Sequence, residues 1–139
     1  WARTEEFESQ NCNCLTWNPT VFGTPMMAVG NTQGTLSIYQ CESNGKWTLG
    51  QQHRAHADTI TDISWAPNLG RSYHLIATAS KDKTVKIWKL NAKGKLELAA
   101  QFHEHNEAVW RVEWNITGTV LASSGDDGSV KLWKQSFTD

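Results

Sequence analysis

Apolar and polar residues along this chain recur in short β-like bursts, and helical spacing is absent. Alternation in Thr84-Val85-Lys86-Ile87-Trp88 and Ser129-Val130-Lys131-Leu132-Trp133 puts Val with Ile or Leu on one strand face and Lys on the other. A short apolar strand precedes each: Leu75-Ile76-Ala77 and Val120-Leu121-Ala122, with Met26-Met27-Ala28-Val29 as the earlier counterpart. Further upstream, strands end on Trp17, Trp65 and Trp114, with apolar residues five and two positions earlier: Cys12 and Leu15, Ile60 and Ile63, Val109 and Val112. That spacing breaks strict alternation and predicts a bulged strand. Gly45 and Gly94 predict hairpins into a fourth strand, Trp47 to Gln51 and Leu96 to Phe102.

The bursts are copies of one unit. Trp17, Trp65 and Trp114 are 48 and 49 residues apart, and Tyr39, Trp88 and Trp133 are 49 and 45 apart, the shortfall matching a loop, Ala66 to Tyr73, absent from the third unit. A period of ~40–50 residues with four strands per unit is the signature of a β-propeller blade. The fold class is therefore all-β, with 1–10 as the outer strand of a preceding blade (its strand Trp1 to Phe7), 11–52 and 53–102 as blades, and 103–139 as an incomplete blade. Propellers close with about four to eight blades, so the protein is expected to continue at both ends.

Composition narrows the function. The 139 residues carry 13 basic and 14 acidic side chains, a net charge of −1 that disfavours a nucleic-acid partner. Nothing approaches the ~20 apolar residues of a membrane span, so no membrane insertion is expected. Three cysteines make no disulfide framework, and a reducing compartment is the simpler expectation. Eight Trp against three Pro indicate a structural position that demands an indole in each unit; Trp17, Trp65, Trp88, Trp114 and Trp133 are assigned to that core.

The middle unit resembles the WD-repeat family: His56, Ser80, Asp82 and Trp88 match the loop His, strand Ser, turn Asp and indole of its hydrogen-bonded relay. The third unit keeps His105, Asp127 and Trp133 but has Gly125 where the Ser is expected, and the first has Glu8, Gln33 and Tyr39 at the His, Asp and Trp positions. Trp17-Asn18-Pro19, the stretch from Trp65 to Ser72, and the stretch from Val109 to Gly128 resemble the nucleoporin Seh subgroup, with the Sec-thirteen coat proteins as the nearest competitor. The resemblance implies an open six-bladed propeller, completed in trans by a blade from an α-helical scaffold nucleoporin. It further implies a structural, non-enzymatic subunit of the Y-shaped outer-ring complex of the nuclear pore, supporting mRNA and protein transport. The same subunit would serve the SEA/GATOR complex in nutrient signalling at the cytoplasmic face of the vacuole or lysosome. By the same resemblance, Asn13, Thr61 and Trp110, and then Thr32, Lys81 and Asp126, occupy a partner-binding rim, with Trp110 as a candidate anchor.

Other chemistry is weaker. His53, His56, His103 and His105 with Cys12 and Cys14 form a conceivable zinc pool, but the His pairs fall in connections between blades and Cys12 at a core position, so no metal or cofactor is expected. Ser80, His56 and Asp82 invite a hydrolase reading, yet no nucleophile elbow is present, and such a site would need Ser80 or His56 open to solvent in a cleft. Asn115-Ile116-Thr117 matches a glycosylation sequon in a turn context, and no Gly-rich phosphate cradle occurs. Lys81, Lys83, Lys86 and Lys89 make the middle blade basic, a solvated face rather than a phosphate site.

Overall fold

The computed structural model describes residues 1–136; the last residues of the expected third unit, 137–139, lie outside the described residues. Eleven strands form three antiparallel sheets. The first is β1 (Cys12–Trp17), β2 (Met26–Asn31), β3 (Thr35–Cys41) and β4 (Trp47–Arg54); the second is β5 (Ile60–Trp65), β6 (His74–Ser80), β7 (Val85–Leu90) and β8 (Leu96–Phe102). The third holds β9 (Val109–Trp114), β10 (Val120–Gly125) and β11 (Val130–Lys134). Each sheet is a meander in chain order, as the short apolar runs and Gly turns require. Gly45 and Gly94 turn at φ +83° and +80°, conformations open to glycine at little cost.

Each innermost strand is bulged at its second residue. Pairing skips Asn13 between Cys12 and Cys14, Thr61 between Ile60 and Asp62, and Trp110 between Val109 and Arg111. The extra residue shifts the register, so the apolar positions on either side of it return to one face.

The core lies between sheets. Ala28, Leu36 and Ile38 of the first blade meet Ile60, Ile63, Trp65, Ile76 and Trp88 of the second. The other face of the second blade, with Ala77, Ala79 and Val85, meets Val109, Val112 and Leu121 of the third. Each fully buried Leu, Ile or Val contributes roughly 1.5–3 kcal/mol, so the seams, more than any single sheet, hold the structure.

Two expectations change. Residues 1–9 form no strand; Phe7 instead lies over Tyr39 at 4.8 Å, and Glu5 accepts the Trp47 backbone N–H. The fourth strand of the first blade runs on to Arg54, which places His53 in β4 rather than in a connection.

Candidate functional site

In the second blade the indole N–H of Trp88 donates to Thr78 Oγ1 at 3.0 Å, and the same hydroxyl meets His56 Nε2 at 2.7 Å. His56 Nδ1 lies 2.9 Å from Asp82 Oδ2. An indole can only donate, so the hydroxyl accepts from Trp88 and passes its own proton toward Nε2, leaving Nδ1–H to face the carboxylate. The relay is therefore Trp88, Thr78, His56, Asp82, and Ser80 is not in it. Ser80 Oγ instead donates to the Asp58 carbonyl and accepts the Asp82 N–H, closing the β6–β7 turn. Thr78 and Ser80 are two residues apart on one strand and share a face, so the reach of the Trp88 indole decides between them.

The third blade repeats this geometry. Trp133 Nε1 donates to Ser123 Oγ at 2.9 Å, His105 Nε2 meets that oxygen at 2.8 Å, and Nδ1 lies 3.0 Å from Asp127 Oδ2. Ser123 stands 45 residues after Thr78, so this relay is complete and Gly125 leaves no gap in it. Gly125 is required for another reason: a Cβ there would meet the Ala108 carbonyl at 2.5 Å. The first blade has Val29 at the hydroxyl position, and Tyr39 packs with Met27, Val29 and Phe7. Glu8 and Gln33 line an open polar cavity of about 440 Å³ beside Tyr39.

Electrostatics follow the hydrogen bonds. Burial opposes ionisation of Asp82, but hydrogen bonds from His56 and Thr84 outweigh it and hold its carboxyl below the usual carboxylate range. Bonds from the Ser129 hydroxyl and backbone, then from His105, hold Asp127 low as well.

The rim group divides. Asn13 donates to the Ile60 carbonyl at 3.0 Å and Thr61 to the Val109 carbonyl at 2.6 Å, so both bulge residues tie one blade to the next. Trp110, at the same position in the third blade, is 41% exposed, with Lys81 Nζ 5.4 Å from its ring centre. Thr32, Lys81 and Asp126 are exposed at the same end, with the Thr32 carbonyl accepting the Thr59 hydroxyl. Two bonds that sequence reasoning missed strengthen the second seam: Asp62 accepts the Val112 N–H and Ser64 the Trp114 N–H. Acceptors on an innermost strand facing the next one were the available signal.

The basic face of the middle blade is also engaged. Lys86 Nζ donates to the Ala55 carbonyl, Lys89 lies over Tyr73, and Lys83 is 3.8 Å from Glu107.

The outer flanks differ from the seams. On the trailing side of the third blade, Val130 and Leu132 are each 70% exposed, whereas their counterparts Leu36 and Ile38 are 0% and 2% exposed and Val85 is 0%. On the leading side, Leu15 and Trp17 are 54% and 56% exposed, against 4% for both Ile63 and Trp65. Cys12 is exposed where Ile60 and Val109 are buried. Trp17 and Cys12 therefore do not join the core expected of them: the blade face that carries them meets no neighbouring sheet among the described residues.

The alternative chemistries find little geometry. Ser80 and His56 are 0% and 2% exposed and do not hydrogen-bond each other, so the condition set for a hydrolase site is not met. Among the described residues no three His, Cys, Asp or Glu side chains come together as a metal site. Burial, then the charges of Asp62 and Cys12, push the Cys14 thiol up to about 12, far from a metal-binding thiolate. The Asn115 carboxamide is committed to Thr119 and Val120 within its turn.

Comparison with known proteins adds the family. The model of the WD domain, G-beta repeat, matches residues 47–89 and 96–134, which run from an outer strand through the three inner strands that follow. Among curated proteins the whole chain is similar to nucleoporin SEH1-A of Xenopus laevis at 41% identity, nucleoporin SEH1 of Homo sapiens at 40% and nucleoporin SEH1 of Danio rerio at 42%. The chain spans 44% of the length of each of these relatives.

Proposed function

The chain belongs to the WD domain, G-beta repeat family, and from that premise we propose that it forms part of an architectural nucleoporin propeller, a binding scaffold rather than an enzyme. Similarity to nucleoporin SEH1 over the whole chain supports a place at the nuclear pore. The observation that carries the scaffold reading is that similarity over the whole chain, joined to blades whose apolar faces, as at Leu36, Ile38 and Val85, are buried against one another. A blade face of that kind is satisfied by another blade.

Further blades of the whole protein cover part of this demand, and a blade donated by an α-helical scaffold nucleoporin closes the remaining gap by strand addition. In this reading the protein is a subunit of the Y-shaped outer-ring complex, alongside its other nucleoporins, and supports mRNA and protein transport. It also serves the SEA/GATOR complex at the vacuolar or lysosomal surface.

Gentle purification of the full-length protein from native extract, with its stoichiometric partners identified by mass spectrometry, tests the proposal. Recovery of an α-helical scaffold nucleoporin is expected. Vesicle-coat scaffolds alone would move the assignment to the Sec-thirteen type, and a solitary closed propeller would overturn closure in trans.

A further inference from the structure

The loops at the two ends of the blades differ in kind. At one end lie the loops that follow β1, β5 and β9 and the hairpins that follow β3 and β7; the remaining connections lie at the other end. The parallel ties from Asn13 to Ile60 and from Thr61 to Val109 keep the ends of successive blades aligned.

Each of the three innermost loops presents a large apolar tip: Val21 and Phe22 at 86% and 83% exposure, Leu69 at 67% and Ile116 at 87%. These tips are held outward by built turns. The carboxamide oxygens of Asn18, Asn68 and Asn115 accept the backbone N–H of Thr20, Arg71 and Thr119. Arg71 also donates to the Pro67 and Gly118 carbonyls, which locks the second loop to the third. At Gly118, φ is +64° and a Cβ would meet the Pro67 carbonyl at 2.7 Å, so the turn and the guanidinium clasp depend on glycine.

Charge is polarised along the same axis. The loops at this end hold four basic residues and one acidic, whereas those at the opposite end hold two basic and six acidic. The lysines, Lys46, Lys93 and Lys95, sit on the two outer hairpins beside the apolar tips; Lys95 pairs with Glu97 at 2.9 Å, Glu42 is the acidic residue of the loops, and Glu5 of the N-terminal segment reaches the Trp47 backbone next to Lys46.

We infer that this end docks on an anionic lipid surface, with the apolar tips reaching shallowly into the headgroup region and the hairpin lysines facing the headgroups. Projecting apolar points flanked by cations on two hairpins suit a planar, deformable, negatively charged surface, and the acidic far end orients the propeller away from it. The contact is peripheral, and no helix of the described residues is long and apolar enough to cross a membrane. The inference is independent of which scaffold closes the ring.

The test is co-sedimentation of the full-length protein with phosphatidylcholine vesicles containing or lacking phosphatidylserine. Binding is expected only with phosphatidylserine, falling as salt rises, and weakened about tenfold or more by Phe22→Asp with Ile116→Asp, and separately by Lys93→Glu. Melting curves should show that these exposed substitutions leave the fold intact, and Glu104→Gln at the far end should leave binding unchanged. Absence of binding to anionic vesicles, or binding indifferent to both the tip and the lysine variants, overturns the inference. So does the finding that the tips are covered by a protein segment in the assembled complex.

Discussion

The seam between the first two blades and the flank of the third present the same positions in different circumstances. Leu36 and Ile38 face a neighbour and are 0% and 2% exposed; Val130 and Leu132 lack one and are each 70% exposed. The local strand pattern is the same in both, so burial in this fold is a property of the pair of blades. A blade face therefore needs a facing blade to be buried, whatever its own strand pattern.

The largest effect should come from the relay itself. Trp88→Ala removes a large buried side chain at a seam and should cost about 3–5 kcal/mol by chemical denaturation; a loss under about 1 kcal/mol would show that the seam does not rest on the indole. Next, Ile38→Ala should cost about 2–5 kcal/mol in the full-length protein with or without partner. Leu15→Ala and Leu132→Ala report on the flanks. A flank covered by the protein's own blades should make the substitution behave like Ile38→Ala in the free protein, whereas a flank closed by the proposed partner should leave stability within about 0.5 kcal/mol and lower partner affinity.

A smaller effect distinguishes the two hydroxyls. Thr78→Val leaves the Trp88 N–H and His56 Nε2 without their shared partner and should cost about 1–3 kcal/mol. Restoration by Thr78→Ser, the residue type used at Ser123, would tie the loss to the hydroxyl.

The last effect is a pH response. Asp82 and Asp127 have folded-state pKa values below the ordinary 3.8, so their stabilisation is present above that pH and is lost as the pH falls below about 4 through the folded values. Urea midpoints should decline in that window, and Asp82→Asn should remove part of the decline. The first blade has Gln33 in place of that carboxylate, so amide exchange there should respond less than in the second.

Much of the architecture was legible because period and alternation are local: the units, the bulges and the hairpins at Gly45 and Gly94 are written in residue spacing. The relay was legible except for one member. Ser80 and Thr78 both present hydroxyls on the same strand face, and only cross-strand geometry selects Thr78; the pairing of Thr78 with Ser123 across 45 residues, where Ser80 aligns with Gly125, was the available clue. The destination of the bulge side chains was not legible, since Asn13 and Thr61 spend their donors on carbonyls 47 and 48 residues away. The exposure of Trp17 and Cys12 was not legible, because burial at those positions depends on a facing blade and not on local spacing.

The most direct test of closure in trans is hydrogen–deuterium exchange, by mass spectrometry, of the full-length protein alone and bound to the proposed scaffold nucleoporin. The account predicts that the strands bordering one seam of the ring exchange rapidly in the free protein and become strongly protected in the complex, while β3 and β7 are protected in both. A free protein whose seams are all as protected as in the complex would contradict it.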